Sequence, residues 1–93
     1  MEGIFNKVAE VRNGGLTEEL QWDGRDGFIL IGNFAAMGQR TEVEKTRREA
    51  CRDLLAWGEL LQTEEEFEVA FADEEALGKI MEGWRWLGLR QTH

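Results

Sequence analysis

The sequence contains no proline and no tyrosine, and it has a single cysteine and a single histidine. With only Cys51 available, no internal disulfide can form. Its thiol falls within an amphipathic helical pattern, which is typical of a small buried side chain. His93 stands at the end of the sequence, so no Ser-His-Asp arrangement and no Cys/His metal pattern can be identified. These absences predict a chain that needs no cofactor, holds no metal and is not an enzyme.

Long apolar runs and a secretory signal are also missing, so we expect a cytoplasmic protein in a reducing compartment. The 93 residues predict one globular domain over 1–93. Apolar residues make up 42% of the chain, and its phenylalanines and tryptophans supply large side chains for a core. This composition is typical of a folded domain and excludes a disordered tail.

Acidic residues are concentrated in one part of the chain. The formal net charge is −8; residues 59–82 alone carry −8, whereas residues 83–93 carry +2. A block of one sign repels nucleic acid and anionic membranes and attracts basic surfaces. The simpler interpretation is a solvated surface whose like charges prevent edge-to-edge strand pairing. The residues of this block that we predict to contact a basic partner are Glu64, Glu65, Glu66, Glu68, Asp73, Glu74 and Glu75.

The first half of the chain predicts a helix followed by a hairpin. Ile4, Val8 and Val11 recur at helical spacing, which predicts a short helix over residues 3–12. Two apolar segments then flank the turn signal DGRDG, so residues 18–22 and 28–31 are predicted to pair as a β-hairpin.

The second half predicts a helix, a strand and another helix. Thr41 and Glu44 match a capping box, and an apolar stripe follows them, so the pattern predicts one long amphipathic helix over residues 41–61. Residues 67–71 alternate between apolar and polar positions, which indicates a half-buried strand with an acidic outer side. Asp73 is predicted to cap the last helix.

The end of the sequence leaves two structures open. Either the last helix continues to about Leu87, or Gly83 ends it and residues 84–90 form an edge strand. In the helix, Trp86 lies on the polar side, where an exposed tryptophan is typical of a binding surface. The alternative is that Trp86 folds back onto the domain.

Together these elements predict an α+β fold of order α-β-β-α-β-α. A small antiparallel sheet of three strands, or four, would pack on the long helix, with a short N-terminal helix and a C-terminal helix at the flanks. We expect a non-catalytic inhibitor or regulator that binds a basic, nucleic-acid-binding surface of another protein through residues 59–82 and Trp86. Phage-encoded inhibitors of host defence are often small acidic domains of this type.

Two other functions stay open at this point. One is an assembly subunit, for example a homodimer, that associates through the C-terminal aromatic residues. The other is a small-ligand binder or enzyme with a pocket near Trp22 and Trp57. None of the three functions involves direct binding of nucleic acid or of a membrane.

Overall fold

The structure, a computed structural model, describes residues 4–63, 66–72 and 74–82. The side chains of residues 61–63 lie outside this description. In chain order the elements are β1 (Asn6–Asn13), β2 (Leu16–Trp22), β3 (Phe28–Phe34), a 3-10 turn (Ala35–Met37), β4 (Gln39–Lys45), α1 (Arg47–Thr63), β5 (Glu68–Phe71) and α2 (Glu74–Met81).

The strands form one antiparallel sheet of order β4-β3-β2-β1-β5. The first four strands follow one another as a meander, and β5 returns after α1 to pair with β1. Helices and an antiparallel sheet are present, as in an α+β fold, but the predicted architecture is wrong. The described sheet has five strands rather than three or four, and the element order is β-β-β-β-α-β-α.

The predicted N-terminal helix is replaced by β1. The pairing between β1 and β2 shifts between Lys7 and Ala9, so Val8 is an extra residue at a β-bulge. In a regular strand, residues three apart would face opposite sides of the sheet. The bulge adds one residue, and both Val8 and Val11 consequently reach the core, with 3% and 6% of their surface exposed. A strand with a bulge therefore reproduces the apolar spacing of a helix.

The predicted hairpin is confirmed by the pairing of β2 with β3 from Leu16↔Phe34 to Trp22↔Phe28. Its turn is closed by Asp23, whose Oδ1 accepts hydrogen bonds from the backbone N–H groups of Arg25 at 2.7 Å and Gly27 at 3.0 Å. The first of these bonds is the main reason that the pKa of Asp23 is lowered. A Cβ at Gly27 would collide with the carboxylate of Asp23, so a larger residue there would displace the side chain that closes the turn.

The predicted helix over residues 41–61 begins too early, because residues 41–45 belong to β4. The capping box is formed by Thr46 and Glu49 instead of Thr41 and Glu44. The backbone N–H of Thr46 donates to Glu49 Oε1 at 2.9 Å, and the N–H of Glu49 donates to Thr46 Oγ1 at 3.1 Å. The bond from Thr46 is the main cause of the lowered pKa of Glu49. The sequence contains two matches to a capping box, five residues apart, and the pairing of residues 41–45 with β3 leaves the second to begin α1.

Both helices pack on one face of the sheet, here called the helix side, and the opposite face is the open side. The core between the layers contains Val8, Ala9, Val11, Leu20, Phe28, Ala50, Cys51, Leu54, Trp57, Ile80 and Met81. Leu20, at the centre, has no exposed surface, and burying a side chain of this size contributes about 1.5–3 kcal/mol. The predicted strand over residues 67–71 is confirmed, since Val69 and Phe71 of β5 pack against this core.

Candidate functional site: the acidic edge

Four of the predicted contact residues fall within the described chain, and all four are exposed. Glu66 precedes β5, Glu68 begins it, and Glu74 and Glu75 form the first turn of α2. We call this set, Glu66, Glu68, Glu74 and Glu75, the acidic edge. The predicted contacts Glu64, Glu65, Asp73 and Trp86 lie outside the described residues, as do the two alternatives for residues 84–90.

The acidic edge consists of two groups rather than one cluster. Strand β5 has four residues, so its two ends are about 10 Å apart at the usual rise per residue. Glu66 and Glu68 lie at the beginning of the strand, whereas Glu74 and Glu75 follow its end. Since this separation exceeds the Debye length of about 8 Å at physiological salt, the two pairs act on a partner largely as separate charges.

Basic side chains neutralise little of the acidic edge. Arg12 Nη1 lies 4.0 Å from Glu68 Oε1, and Lys79 Nζ lies 3.9 Å from Glu75 Oε2. Both distances are at the limit of an ion pair, and all four side chains are more than half exposed. Exposed pairs of this kind contribute about 0–1 kcal/mol. The carboxylates in the first turn of α2 also interact favourably with the helix dipole. That local role stabilises α2 and leaves their charge on the surface.

The open side of the sheet brings two further carboxylates together beside the acidic edge. Glu10 on β1 lies directly opposite Glu19 on β2. Lys7 Nζ donates to Glu10 Oε1 at 2.6 Å, which is the main cause of the lowered pKa of Glu10. Arg12 Nη2 donates to Glu10 Oε2 at 3.1 Å. These contacts keep Glu10 ionised opposite Glu19. The sequence analysis missed this pair because it placed residue 10 in a helix.

The end of α2 is held against the sheet by Arg47, the first residue of α1. Arg47 Nη1 donates to the carbonyl oxygens of Ile80 at 3.0 Å and Lys79 at 3.4 Å, in the last turn of α2. Arg47 Nη2 donates to the carbonyl of Arg25 at 2.5 Å and to Asp26 Oδ1 at 3.1 Å. Its guanidinium also lies 5.5 Å from the centre of the Phe28 ring.

Arg47 therefore joins α1, α2 and the β2–β3 turn. Sequence reasoning missed it because its hydrogen-bond partners are 21 to 33 residues away along the chain. The sequence did contain one signal, an arginine in the first turn of a helix. The helix dipole disfavours a cation there, so such an arginine indicates that other groups bind it.

Burial explains the raised pKa values of two groups in α1, the thiol of Cys51 and the carboxyl group of Asp53. Cys51 has no exposed surface, its thiol donates to the carbonyl of Ile80 at 3.6 Å, and burial raises its pKa. The prediction of a small buried cysteine is confirmed. Asp53 forms an ion pair with Lys45 at 3.6 Å, but its Oδ2 is buried without a hydrogen bond, and desolvation raises its pKa. Lys45 ends β4, so this pair connects β4 to α1.

Two shallow depressions on the described surface are lined in part by charged side chains. One of about 280 Å³ is lined by Phe5, Asp26, Gly27, Phe28, Ile29, Glu44 and Lys45. Another, of about 180 Å³, is lined by Glu10, Arg12, Glu68, Val69 and Ala70, beside the acidic edge. Within residues 4–63, 66–72 and 74–82, no group of three or more His, Cys, Asp or Glu side chains could hold a metal ion.

Comparisons with known proteins give no relative for this chain. No family model matches it, and neither the curated proteins nor the solved structures contain a significant match. No helix in the described part of the chain is long and apolar enough to cross a membrane.

Proposed function

We propose that this protein is a non-catalytic inhibitor or regulator that binds a basic surface of another protein through the acidic edge. The observation that carries the proposal is the charge of residues 66–82. The described residues of this stretch present five exposed carboxylates, from Glu66, Glu68, Glu74, Glu75 and Glu82, against one lysine, Lys79. A partner with arginines or lysines at matching positions would gain attraction without first displacing strong internal ion pairs.

The position of β5 supports the same proposal. Among the described strands it lies at an edge of the sheet, so a partner can approach the carboxylate of Glu68 from that edge as well as from the open side. The spacing of the two carboxylate pairs suits a partner whose basic residues are spread over a surface rather than gathered in one pocket. Surfaces that bind nucleic acid have this property, and the protein would compete with nucleic acid for them, as phage-encoded inhibitors do.

The test is a capture experiment from cell lysate, with mass spectrometry of the bound proteins, at low and at high salt. The baits are the wild type, E66K/E68K, E74K/E75K, and the control E42K/E44K, which makes the same change in net charge on β4, at the opposite edge of the described sheet. We expect a basic partner that the wild type and the control retain at low salt. Both acidic-edge variants should lose this partner, and high salt should weaken its binding. Retention by all four baits, or equal loss from the control, would overturn the proposal.

The runner-up, an assembly subunit associating through the C-terminal aromatic residues, stays a prediction because that segment lies outside the described residues. The small-ligand or enzyme alternative likewise stays a prediction. Tryptophan fluorescence during ligand screening would test it, since Trp22 and Trp57 lie in or against the core.

A further inference from the structure

Strand β4 presents the longer of the two sheet edges. It has seven residues, about 23 Å of backbone, and it pairs with β3 along its whole length. Among the described residues no strand pairs with its other edge. Six of its seven residues are exposed. A long open edge offers unpaired backbone N–H and C=O groups to another strand.

Exposed apolar side chains lie beside this edge, on the helix side of β3 and β4 and in the connection between these two strands. Val43 of β4 is 48% exposed, Phe34 at the end of β3 is 45% exposed, and Met37 in the connection between them is 65% exposed. A strand added to β4 would bring its own side chains against this apolar surface, which gives the addition a favourable hydrophobic contribution.

The charges on β4 favour one partner, the β4 strand of a second copy of this chain. In an antiparallel pair, side chains directly opposite each other lie on the same face, so a symmetric pair is centred on a residue. Pairs centred on Arg40, Glu42 or Glu44 would each place that residue opposite its own copy. A pair centred on Val43 would place Glu42 opposite Glu44. Each of these registers opposes like charges, which is unfavourable.

The register centred on Thr41 opposes no like charges. It places Arg40 opposite Glu42 of the second copy, and Glu42 opposite Arg40 of the second copy, with the two Thr41 side chains facing each other. Arg40 and Glu42 already form an ion pair within one chain, so the four side chains would alternate in sign across the junction. Cross-strand pairs of opposite charge and Thr–Thr pairs are both favourable.

We propose that β4 pairs antiparallel with β4 of a second copy, centred on Thr41, and joins the two five-stranded sheets into one of ten strands. The association closes at the dimer because the other edge of the described sheet has Glu68 at the start of β5 and Glu66 just before it, and these charges repel a second copy. This inference is independent of the acidic-edge proposal, since the two surfaces are at opposite edges of the sheet.

The test is sedimentation equilibrium of the full chain from micromolar to millimolar concentration, with circular dichroism to confirm that each variant is folded. We expect a monomer–dimer equilibrium in the wild type. R40E and E42R should each weaken the dimer by about ten-fold or more, because each turns two attractive contacts into two repulsive ones. The double variant R40E/E42R should restore wild-type association. A mixture of R40E with E42R should form a heterodimer, since one strand then carries two carboxylates and the other two guanidinium groups.

The variant E44R is the matched control for register. In the pair centred on Thr41, Glu44 lies opposite Gly38 of the second copy, so E44R should leave the dimer within about two-fold of wild type. In the pair centred on Glu42 it would lie opposite Arg40 and weaken the dimer. A monomer at every concentration overturns the proposal. So does a dimer that R40E and E42R leave unchanged, because another surface, such as the C-terminal aromatic residues, would then hold it.

Discussion

The two edges of the described sheet, β5 and β4, differ in how deeply their apolar side chains are buried and in the charges that they carry. On the helix side of β5, Val69 and Phe71 pack against the core, whereas Val43, on the same side of β4, is 48% exposed. The carboxylates at β5 have one weak cation contact there, while β4 carries charges of both signs, from Arg40, Glu42, Glu44 and Lys45. An edge of one sign cannot pair with its own copy and favours a basic partner. An edge of mixed sign can be self-complementary.

The helices cover β5 more than β4 because the two strands enter the sheet in different ways. β4 continues the meander and needs only its pairing with β3. β5 has four residues and follows α1, so its place depends on helix packing as well as on its pairing with β1. A short strand of this kind is stable only with tertiary support. The acidic edge therefore depends on the core more than β4 does.

Replacing Arg47 should loosen α2, the helix that carries Glu74 and Glu75 of the acidic edge, from the rest of the fold. R47A removes the donor to the last turn of α2 and to the β2–β3 turn, and we expect the free energy of unfolding to fall by about 2–4 kcal/mol. Urea unfolding measures the change. R47K should rescue little, because one ammonium group cannot reach all of these acceptors. R52A, an exposed change in the same helix, should cost less than about 0.5 kcal/mol; equal costs for R47A and R52A would contradict the assigned role.

The same Val→Ala substitution in β5 and in β4 tests whether the helix side of β5 is more deeply buried than that of β4. V69A removes two methyl groups from a side chain packed on the core, and should cost about 1–2 kcal/mol. V43A removes the same atoms from the uncovered end of the sheet, and should cost less than about 0.5 kcal/mol. Thermal or urea unfolding at one low protein concentration compares them. If V43A is the more damaging change, the helix side of β4 is covered in the folded chain.

Removing the helix cap tests where β4 ends and α1 begins. T46A deletes the hydroxyl that accepts the N–H of Glu49, and should destabilise the protein by about 1 kcal/mol. T41A changes the first residue of the alternative capping box, which lies in β4, and should cost less than about 0.5 kcal/mol. A larger loss from T41A would mean that the helix begins before β4 ends.

Removing the carboxyl group of Asp53, in the contact between β4 and α1, should have the smallest effect on the free energy of unfolding. This effect should depend on pH. The pKa of Asp53 is raised from 3.8 by burial, so the folded state binds its proton more tightly than the unfolded state does. Its ionisation therefore destabilises the fold as the pH rises through and above 4. D53N cannot ionise, so its stability relative to the wild type should increase between pH 3 and pH 7. Urea unfolding at both values would show this, and an unchanged difference would contradict the assignment.

Sequence patterns predicted elements where one signal was unambiguous. The DGRDG turn between two apolar segments predicted β2 and β3, and the alternation of residues 67–71 predicted β5. The apolar stripe of α1 also predicted its buried positions, among them Ala50, Cys51, Leu54 and Trp57. The carboxylates of the acidic edge were predicted to be exposed, and those within the described residues are. Their contact with a partner stays a prediction.

The remaining elements could not be predicted because two structures share the same local pattern. At β1, the bulge at Val8 gives a strand the apolar spacing of a helix. At β4, residues 41–45 match the start of a helix, and they become a strand because β3 offers them a full ladder of hydrogen bonds. Local propensity is weaker than such pairing.

The sequence by itself determined the acidic character of residues 59–82, the central hairpin and the apolar face of α1. These follow from residue type and short spacing alone. Tertiary structure alone decided that β1 and β4 are strands, that Arg47 joins three elements, and that Glu10 faces Glu19. The physical reason is that each of these depends on partners distant in sequence, whose hydrogen bonds and packing form only when the sheet assembles.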